Sequence, residues 1–163
     1  MLSQKFQATS TKQTHSSLSN YLSFVWWLIL ATICLFICWR DYRFRLVSNN
    51  SVLSLGCVLL SSAFINGSQI YPFTALMLFI PGLLLWRLGV FGAGDIKLIC
   101  VFSMLIQPDF LLLVGVILML LGGLEALVYI LIKKFKPISI VHDGLPFAIP
   151  IVLSGVFGIG ASI

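Results

Sequence analysis

The chemistry that this sequence could perform centres on a short glycine-rich segment that ends in a carboxylate. Gly92, Ala93 and Gly94 directly precede Asp95, in a chain of 163 residues of which 60% are hydrophobic and 9% charged. A charged side chain at bilayer depth costs roughly 2.5–3.5 kcal/mol on insertion scales and usually faces a protein interior or a water-filled cavity. Asp95 is therefore expected to be functional. The alternative is that the glycines pack two helices and Asp95 is the N-cap of the helix that follows.

A lone carboxylate needs a second one before it can hydrolyse a peptide bond in the manner of an aspartic protease. Two carboxylates within hydrogen-bonding reach cannot both ionise cheaply, so one stays protonated while the other accepts a proton from water. The other acidic residues of the chain are Asp41, Asp109, Glu125 and Asp143. Which of them can meet Asp95 depends on the topology of the chain.

The composition is typical of an integral membrane protein, since the mean hydropathy is +1.09. Six apolar runs predict helices, at residues 21–38, 52–65, 70–86, 96–106, 110–132 and 145–163. We therefore expect an all-α, polytopic membrane protein with about six transmembrane helices over residues 21–163, preceded by a disordered polar tail over residues 1–20. The run 96–106 spans only about 17 Å as a helix, so either its flanks are helical or the adjoining loop dips inward.

The basic residues predict the orientation of these helices. Eight of the ten lysines and arginines fall on one side of a six-span alternation, and the remaining two lie near the N-terminus. The eight are Arg40, Arg43, Arg45, Arg87, Lys97, Lys133, Lys134 and Lys136. The positive-inside rule then places both termini on the extracytoplasmic side and three loops in the cytoplasm. The net charge of +5 is thus interpreted as an orientation signal and not as a nucleic-acid-binding surface.

This topology determines which acidic residues can meet. Asp41 ends the first helix and Asp95 begins the fourth, so both reach the cytoplasmic face and can pair. Asp109 lies in an outer turn and is excluded. Glu125 lies about 10 Å into the membrane along the fifth helix and remains a possible outer member of the site. Asp143 follows His142 and precedes a glycine, a pattern typical of a solvated or helix-capping acid.

The cysteines do not form a recognisable metal site. Cys34 and Cys38 share a helical face, but they lack the second pair or the histidines that a zinc site needs. Cys57 and Cys100 are isolated. All four are interpreted as small apolar packing residues.

Three blocks of the sequence resemble the signatures of the type IV prepilin peptidases, which are intramembrane aspartic proteases. Residues 88–99, LGVFGAGDIKLI, resemble the GxGD signature with Lys97 in register. Residues 41–49 are similar to the first-aspartate block, where an Ile-Pro-Asn triplet ends eight residues after the aspartate; here Ser48 replaces the proline. Residues 145–149 resemble the Pro-Tyr/Phe-Gly opening of the last helix, with Ala148 in place of glycine.

The resemblance implies a mechanism in which Asp41 and Asp95 activate a water molecule for attack on a peptide carbonyl. The protonated carboxyl stabilises the tetrahedral intermediate and protonates the leaving amine, and no metal or organic cofactor is required. The residues expected to shape the site are Gly92, Gly94, Lys97, Asn49 and Pro146. Lys97 is further expected to anchor a helix end or a lipid headgroup, because lysines near helix ends snorkel.

The resemblance also implies a branch and a substrate. The zinc-binding insertion with paired CxxC motifs, found in full-length members that also methylate pilins, is replaced here by a loop of about ten residues. The chain thus looks like the short, stand-alone peptidases of the tight-adherence (Tad, Flp pilus) type. The implied partner is a prepilin with a short basic leader in the cytoplasm and a hydrophobic helix in the bilayer. The implied location is the bacterial cytoplasmic (inner) membrane, where the enzyme serves pilus biogenesis.

Three alternatives remain at this point. A related peptidase of pseudopilins or of archaeal-type preflagellins would carry the same residues. A non-catalytic assembly factor would tolerate loss of both aspartates. A small transporter or channel would use its intramembrane acids to bind ions, but it predicts inverted repeats that the sequence does not display.

Overall fold

The computed structural model describes residues 2–89, 91–135 and 147–162, with side chains from residue 18 onward except those of residues 133 and 135. All regular structure in this part of the chain is α-helical, which confirms the predicted all-α class. The helices are α1 (Leu2–Phe44), α2 (Asn49–Ile65), α3 (Pro72–Arg87), α4 (Ala93–Ser103), α5 (Pro108–Phe135) and α6 (Ala148–Ser162).

Each of the six helices overlaps one of the six apolar runs, and the largest difference lies at the N-terminus. Helix α1 begins at Leu2, so the polar segment expected to be a disordered tail is instead the first part of a helix. The physical reason lies in the sequence, because neither glycine nor proline interrupts residues 2–44 and both are the residues that most disfavour a helix interior. A helix started in the apolar run can therefore propagate through the polar segment.

Helix α4 is as short as its apolar run predicted, with 11 residues. It is shifted by three residues relative to the run, because residues 93–95 are helical and the helix ends at Ser103, so the helical flank adds no length. After Ser103 the chain turns inward, and Leu105 and Ile106 are only 2% exposed. The sequence left two explanations for this short helix, helical flanks or a loop that dips inward, and the structure shows the inward-turning connection after it.

Two segments are long and apolar enough to cross a bilayer, Leu18–Phe44 and Pro108–Ile132, while three apolar helices are shorter. Little of either long segment is buried inside the protein, 22% and 6% of the most apolar window respectively. The core helix of a soluble protein would be mostly buried, whereas apolar side chains directed outward are expected when lipid surrounds the protein. The exposed apolar surface therefore favours a membrane protein.

The core lies among α1, α2, α4 and α6. Its largest buried side chains include Trp26, Leu30, Leu55, Leu98, Phe102 and Ile151. The Trp26 indole N–H donates to the carbonyl of Val58 at 2.8 Å and joins α1 to α2. Helix α4 packs against α2, α3 and α6, whereas α5 packs chiefly against α6. This arrangement brings the C-terminus of α1 and the N-termini of α4 and α6 to the same end of the bundle.

Candidate active site

Asp41 lies in the last turn of α1 and is 6% exposed. Its Oδ2 atom accepts a hydrogen bond from the backbone N–H of Ala148 at 3.2 Å. Ala148 is the first residue of α6, where the N–H groups have no partner within the helix and the helix dipole is positive. The N-terminus of α6 therefore stabilises a negative charge on Asp41.

Asp95 lies in the first turn of α4, and the helix N-cap is Gly92. The Oδ2 atom of Asp95 accepts a hydrogen bond from the Gly92 N–H at 3.1 Å. The carboxylate therefore does cap α4, but from the third helical position, so the alternative that Asp95 is itself the N-cap residue is wrong. A carboxylate can accept several hydrogen bonds, so this single bond leaves Asp95 able to accept another from a water molecule.

The two aspartates lie close enough for their negative charges to repel each other. Glu125 on α5 also interacts electrostatically with Asp41. The guanidinium of Arg45 acts in the opposite sense on both Asp41 and Glu125. Three carboxyl groups from three different helices and one arginine are thus gathered at one end of the bundle.

The glycines of the GAGD segment allow this close approach. A Cβ atom at position 94 would lie 2.8 Å from the Cβ of Val47, in the connection between α1 and α2. A Cβ at position 92 would lie 3.0 Å from Asp95 Oδ2. Real Cβ atoms do not tolerate the first contact, so glycine at position 94 lets the Asp41 segment pack directly on the start of α4.

A second contact joins the same two segments. The ammonium group of Lys97 donates to Oδ1 of Asn49 at 2.8 Å. Asn49 opens α2, and its predecessor Ser48 is the N-cap, whose Oγ accepts the backbone N–H of Ser51 at 3.2 Å. Lys97 therefore contacts the protein, where it ties α4 to α2. Ser48 in place of the family's proline supplies a favourable helix cap.

Asp109, the other acidic residue among those the structure describes, does not join the pair. Asp109 is exposed at the start of α5, about 24 Å along that helix from Glu125. Asp143 and Pro146 lie outside the described residues. Within the described part of the chain, no three His, Cys, Asp or Glu side chains are arranged to hold a metal ion.

Two features of this site were not predicted from the sequence. The first is the backbone N–H of Ala148, which the third sequence block could have indicated because it opens the last helix. The second is Arg45, which directly follows α1. It has a left-handed backbone, φ 53°, and its N–H donates to the carbonyl of Asp41 at 2.8 Å. The sequence indicates Arg45 only as an orientation charge; in the structure its guanidinium also interacts with the carboxyl groups of Asp41 and Glu125.

Comparison with known proteins agrees with this geometry. A family model for the type IV leader peptidase family matches residues 28–127, a stretch that contains Asp41, Asp95 and Glu125. Comparisons with curated proteins and with solved structures found no match. The matched stretch covers more than half of the chain and confirms the predicted resemblance. The chain belongs to the type IV leader peptidase family.

Proposed function

We propose that this protein is a membrane aspartic endopeptidase that removes the short leader of type IV prepilins, of the Flp type, at the cytoplasmic face. One observation supports this proposal above the others. Asp41 and Asp95 come from different helices and reach the same end of the bundle, where each accepts a hydrogen bond from a backbone N–H at a helix N-terminus. Both lie within the stretch that matches the leader peptidase family.

In the proposed reaction, one carboxylate of the pair accepts a proton from water while the water oxygen attacks the scissile carbonyl carbon. The other carboxyl group is protonated and donates its hydrogen to the carbonyl oxygen, which carries the developing charge. The tetrahedral intermediate then collapses and the C–N bond breaks. The leaving nitrogen takes the proton that the first carboxyl group received from water, and a hydroxyl group of the intermediate returns a proton to the second carboxylate. The helix N-termini beside Asp41 and Asp95 favour the ionised carboxylate, while mutual repulsion favours sharing one proton between the pair.

The proposed topology has six transmembrane helices, both termini on the extracytoplasmic side, and the aspartate pair at the cytoplasmic side of the bacterial inner membrane. The six helices of the described residues and the outward-facing apolar side chains support it. Basic residues near the ends of α1, α3 and α5 support the orientation. A prepilin with a cytoplasmic basic leader would then present its cleavage site to the carboxylates, while its hydrophobic helix stays in the bilayer.

Co-expression with candidate pilin precursors tests this function. We expect wild-type protein to shorten a precursor by the mass of its leader, and the Asp41→Asn and Asp95→Asn variants to leave the precursor intact. The Asp109→Asn variant is a matched control, since it removes a carboxylate at the opposite end of α5 and is expected to retain cleavage. Membrane levels of all four proteins are compared by immunoblot.

The outcomes separate the alternatives. Continued leader removal by both aspartate variants would refute the aspartic mechanism. Intact pilus assembly with both variants would indicate a non-catalytic assembly factor. Cleavage of a pseudopilin or preflagellin, with Flp-type prepilins left intact, would support the aspartic mechanism but assign the enzyme a different substrate.

A further inference from the structure

An apolar cavity of about 490 Å³ lies between α3 and α4 on one side and α5 and α6 on the other. It forms because α3 packs mainly on α4 and α5 mainly on α6, which leaves α3 and α5 apart. Its walls include Pro81, Ile99, Ile106, Val114, Leu118 and Ile151. The volume lies in the range of specific ligand sites, and the walls suit an apolar occupant.

One end of this cavity reaches the candidate active site. Phe91 and Phe147 line it there, and their rings meet edge to face with centroids 5.4 Å apart. Phe91 directly precedes Gly92, and Phe147 directly precedes Ala148, whose N–H binds Asp41. The aromatic pair therefore lies at the boundary between the apolar cavity and the carboxyl groups.

The α5 wall of the cavity leads toward an acceptor that lacks a partner. Gly115 and Gly122 line the cavity, and Glu125 follows Gly122 by three residues, so it lies on the same helical face one turn farther on. Its Oε2 atom is buried and has no hydrogen-bond partner among the described residues. A buried acceptor without a donor is unfavourable. A molecule lying along this wall would gain stability by placing a hydrogen-bond donor beside Glu125.

We propose that the cavity binds the hydrophobic helix of the substrate, and that the polar segment preceding this helix donates a hydrogen bond to Glu125 as it passes the Phe91–Phe147 pair. The proposal rests on the proposed function and adds the place where the substrate binds. The cavity wall from residue 111 to residue 123 is about 18 Å long, enough for one face of several helical turns. Its occupant must be apolar along this length and carry donors at the end beside the carboxyl groups. A basic leader followed by an apolar helix has this order.

Gly115 explains how a helix could approach closely. A Cβ atom at this position would meet no atom within 4 Å, so glycine here is not required by internal packing. Small residues at helix–helix contacts in membranes allow two backbones to come together. We infer that Gly115 provides this contact surface for the substrate helix.

Photo-cross-linking tests the proposal without requiring cleavage. A photoreactive amino acid replaces Leu118, inside the cavity, or Leu112, which is 82% exposed on α5 and does not line the cavity. Both are made in full-length Asp95→Asn protein. The probe is a synthetic peptide with a lysine-containing leader, one glycine and a Leu/Ala helix of about 20 residues, in vesicles of bacterial phospholipid. We expect a peptide cross-link at position 118 and at most a weak one at position 112.

Filling the cavity should block this cross-link. Gly115→Phe is expected to lower the yield at position 118 by roughly tenfold or more, the order of effect that apolar pocket contacts produce. Val116→Phe, at the adjacent and outward-facing position, is expected to leave the yield unchanged. If Gly115→Phe does not fold, as judged by its melting temperature, the comparison of positions 118 and 112 still decides the question.

The results distinguish the two proposals. A cross-link at position 118 without cleavage of any precursor by wild-type protein would refute the proposed function but leave this binding site standing. Cleavage of a precursor with equal cross-linking at positions 118 and 112 would overturn the binding site alone. A phospholipid cross-linked at position 118 that the peptide fails to displace would also overturn it.

Discussion

Replacement of Gly94 by alanine should disrupt the contact that holds the two aspartate segments together. The added Cβ would lie 2.8 Å from the Cβ of Val47, whereas non-bonded carbons prefer about 3.5–4.0 Å. The start of α4 would therefore have to move away from the α1–α2 connection by roughly 0.7–1.2 Å. Asp95 is the next residue and would move with it.

Two effects of opposite sign determine the size of the loss. Alanine in a helix is favoured over glycine by about 0.5–1 kcal/mol, so the substitution would stabilise the protein if no clash existed. Overpacking of this kind costs about 1–3 kcal/mol, which should exceed that gain. A displacement near 1 Å can lower a catalytic rate by about a hundredfold. We expect Gly94→Ala to lower both the melting temperature and the cleavage rate, the latter by roughly tenfold to a hundredfold.

The assay is leader removal from a co-expressed precursor, measured by mass, together with thermal melting of the purified protein in detergent. Gly56→Ala is the matched control. A Cβ at position 56 would lie 3.8 Å from a methyl group of Val101, an ordinary contact between α2 and α4. We expect this variant to cleave at the wild-type rate and to melt no lower than wild type.

A second substitution identifies the atoms responsible. Val47→Gly removes the Cβ that the new methyl group would strike, so it should restore much of the activity lost in Gly94→Ala. Val47→Ala keeps that Cβ and should restore little. Wild-type cleavage and melting of Gly94→Ala, or equal rescue by both Val47 substitutions, would show that this close approach does not hold the site together.

Three further predictions concern individual hydrogen bonds. Ala148→Pro removes the N–H that binds Asp41, at a helix position where proline is tolerated. We expect cleavage to fall at least roughly tenfold, because a hydrogen bond to a charged group contributes about 1.5–3 kcal/mol. Ala148→Gly keeps the N–H and should remain active. Ser48→Ala removes the cap of α2 and should lower stability by about 1 kcal/mol in denaturant titrations, with cleavage retained. Lys97→Met breaks the exposed contact with Asn49. A double-mutant cycle with Asn49→Ala should give a coupling energy no larger than about 1 kcal/mol. A larger value would show that the contact is more strongly coupled than its exposure suggests.

The helices were largely predictable because a bilayer requires long apolar runs, and each run of this sequence became one helix. The common end for Asp41 and Asp95 also followed from the sequence, since it depends only on the number of helices between them and on the placement of basic residues. The shortness of α4 was visible in the apolar run 96–106, which has the same length as the helix, 11 residues.

The details of the site were not predictable to the same degree. The hydrogen bond from Ala148 to Asp41 joins residues 107 positions apart, and it exists only because α6 begins beside the last turn of α1. Likewise, the left-handed backbone of Arg45 is a property of how α1 ends, and arginine gives no local signal for it. The gap between α3 and α5 could not be predicted either, because an apolar helix face has the same sequence pattern whether lipid or protein covers it.

The hydrogen bonds that hold the two aspartates have a consequence for how this family varies. Both donors are main-chain N–H groups, at Gly92 and Ala148, so every residue except proline supplies the same donor at position 148. Exchange among small residues there would leave the carboxylate environment intact, as alanine in place of glycine illustrates, whereas a large side chain would not fit because Ala148 is fully buried. An alanine scan would miss this support entirely. Backbone replacement, such as an ester in place of the amide, is the experiment that detects it.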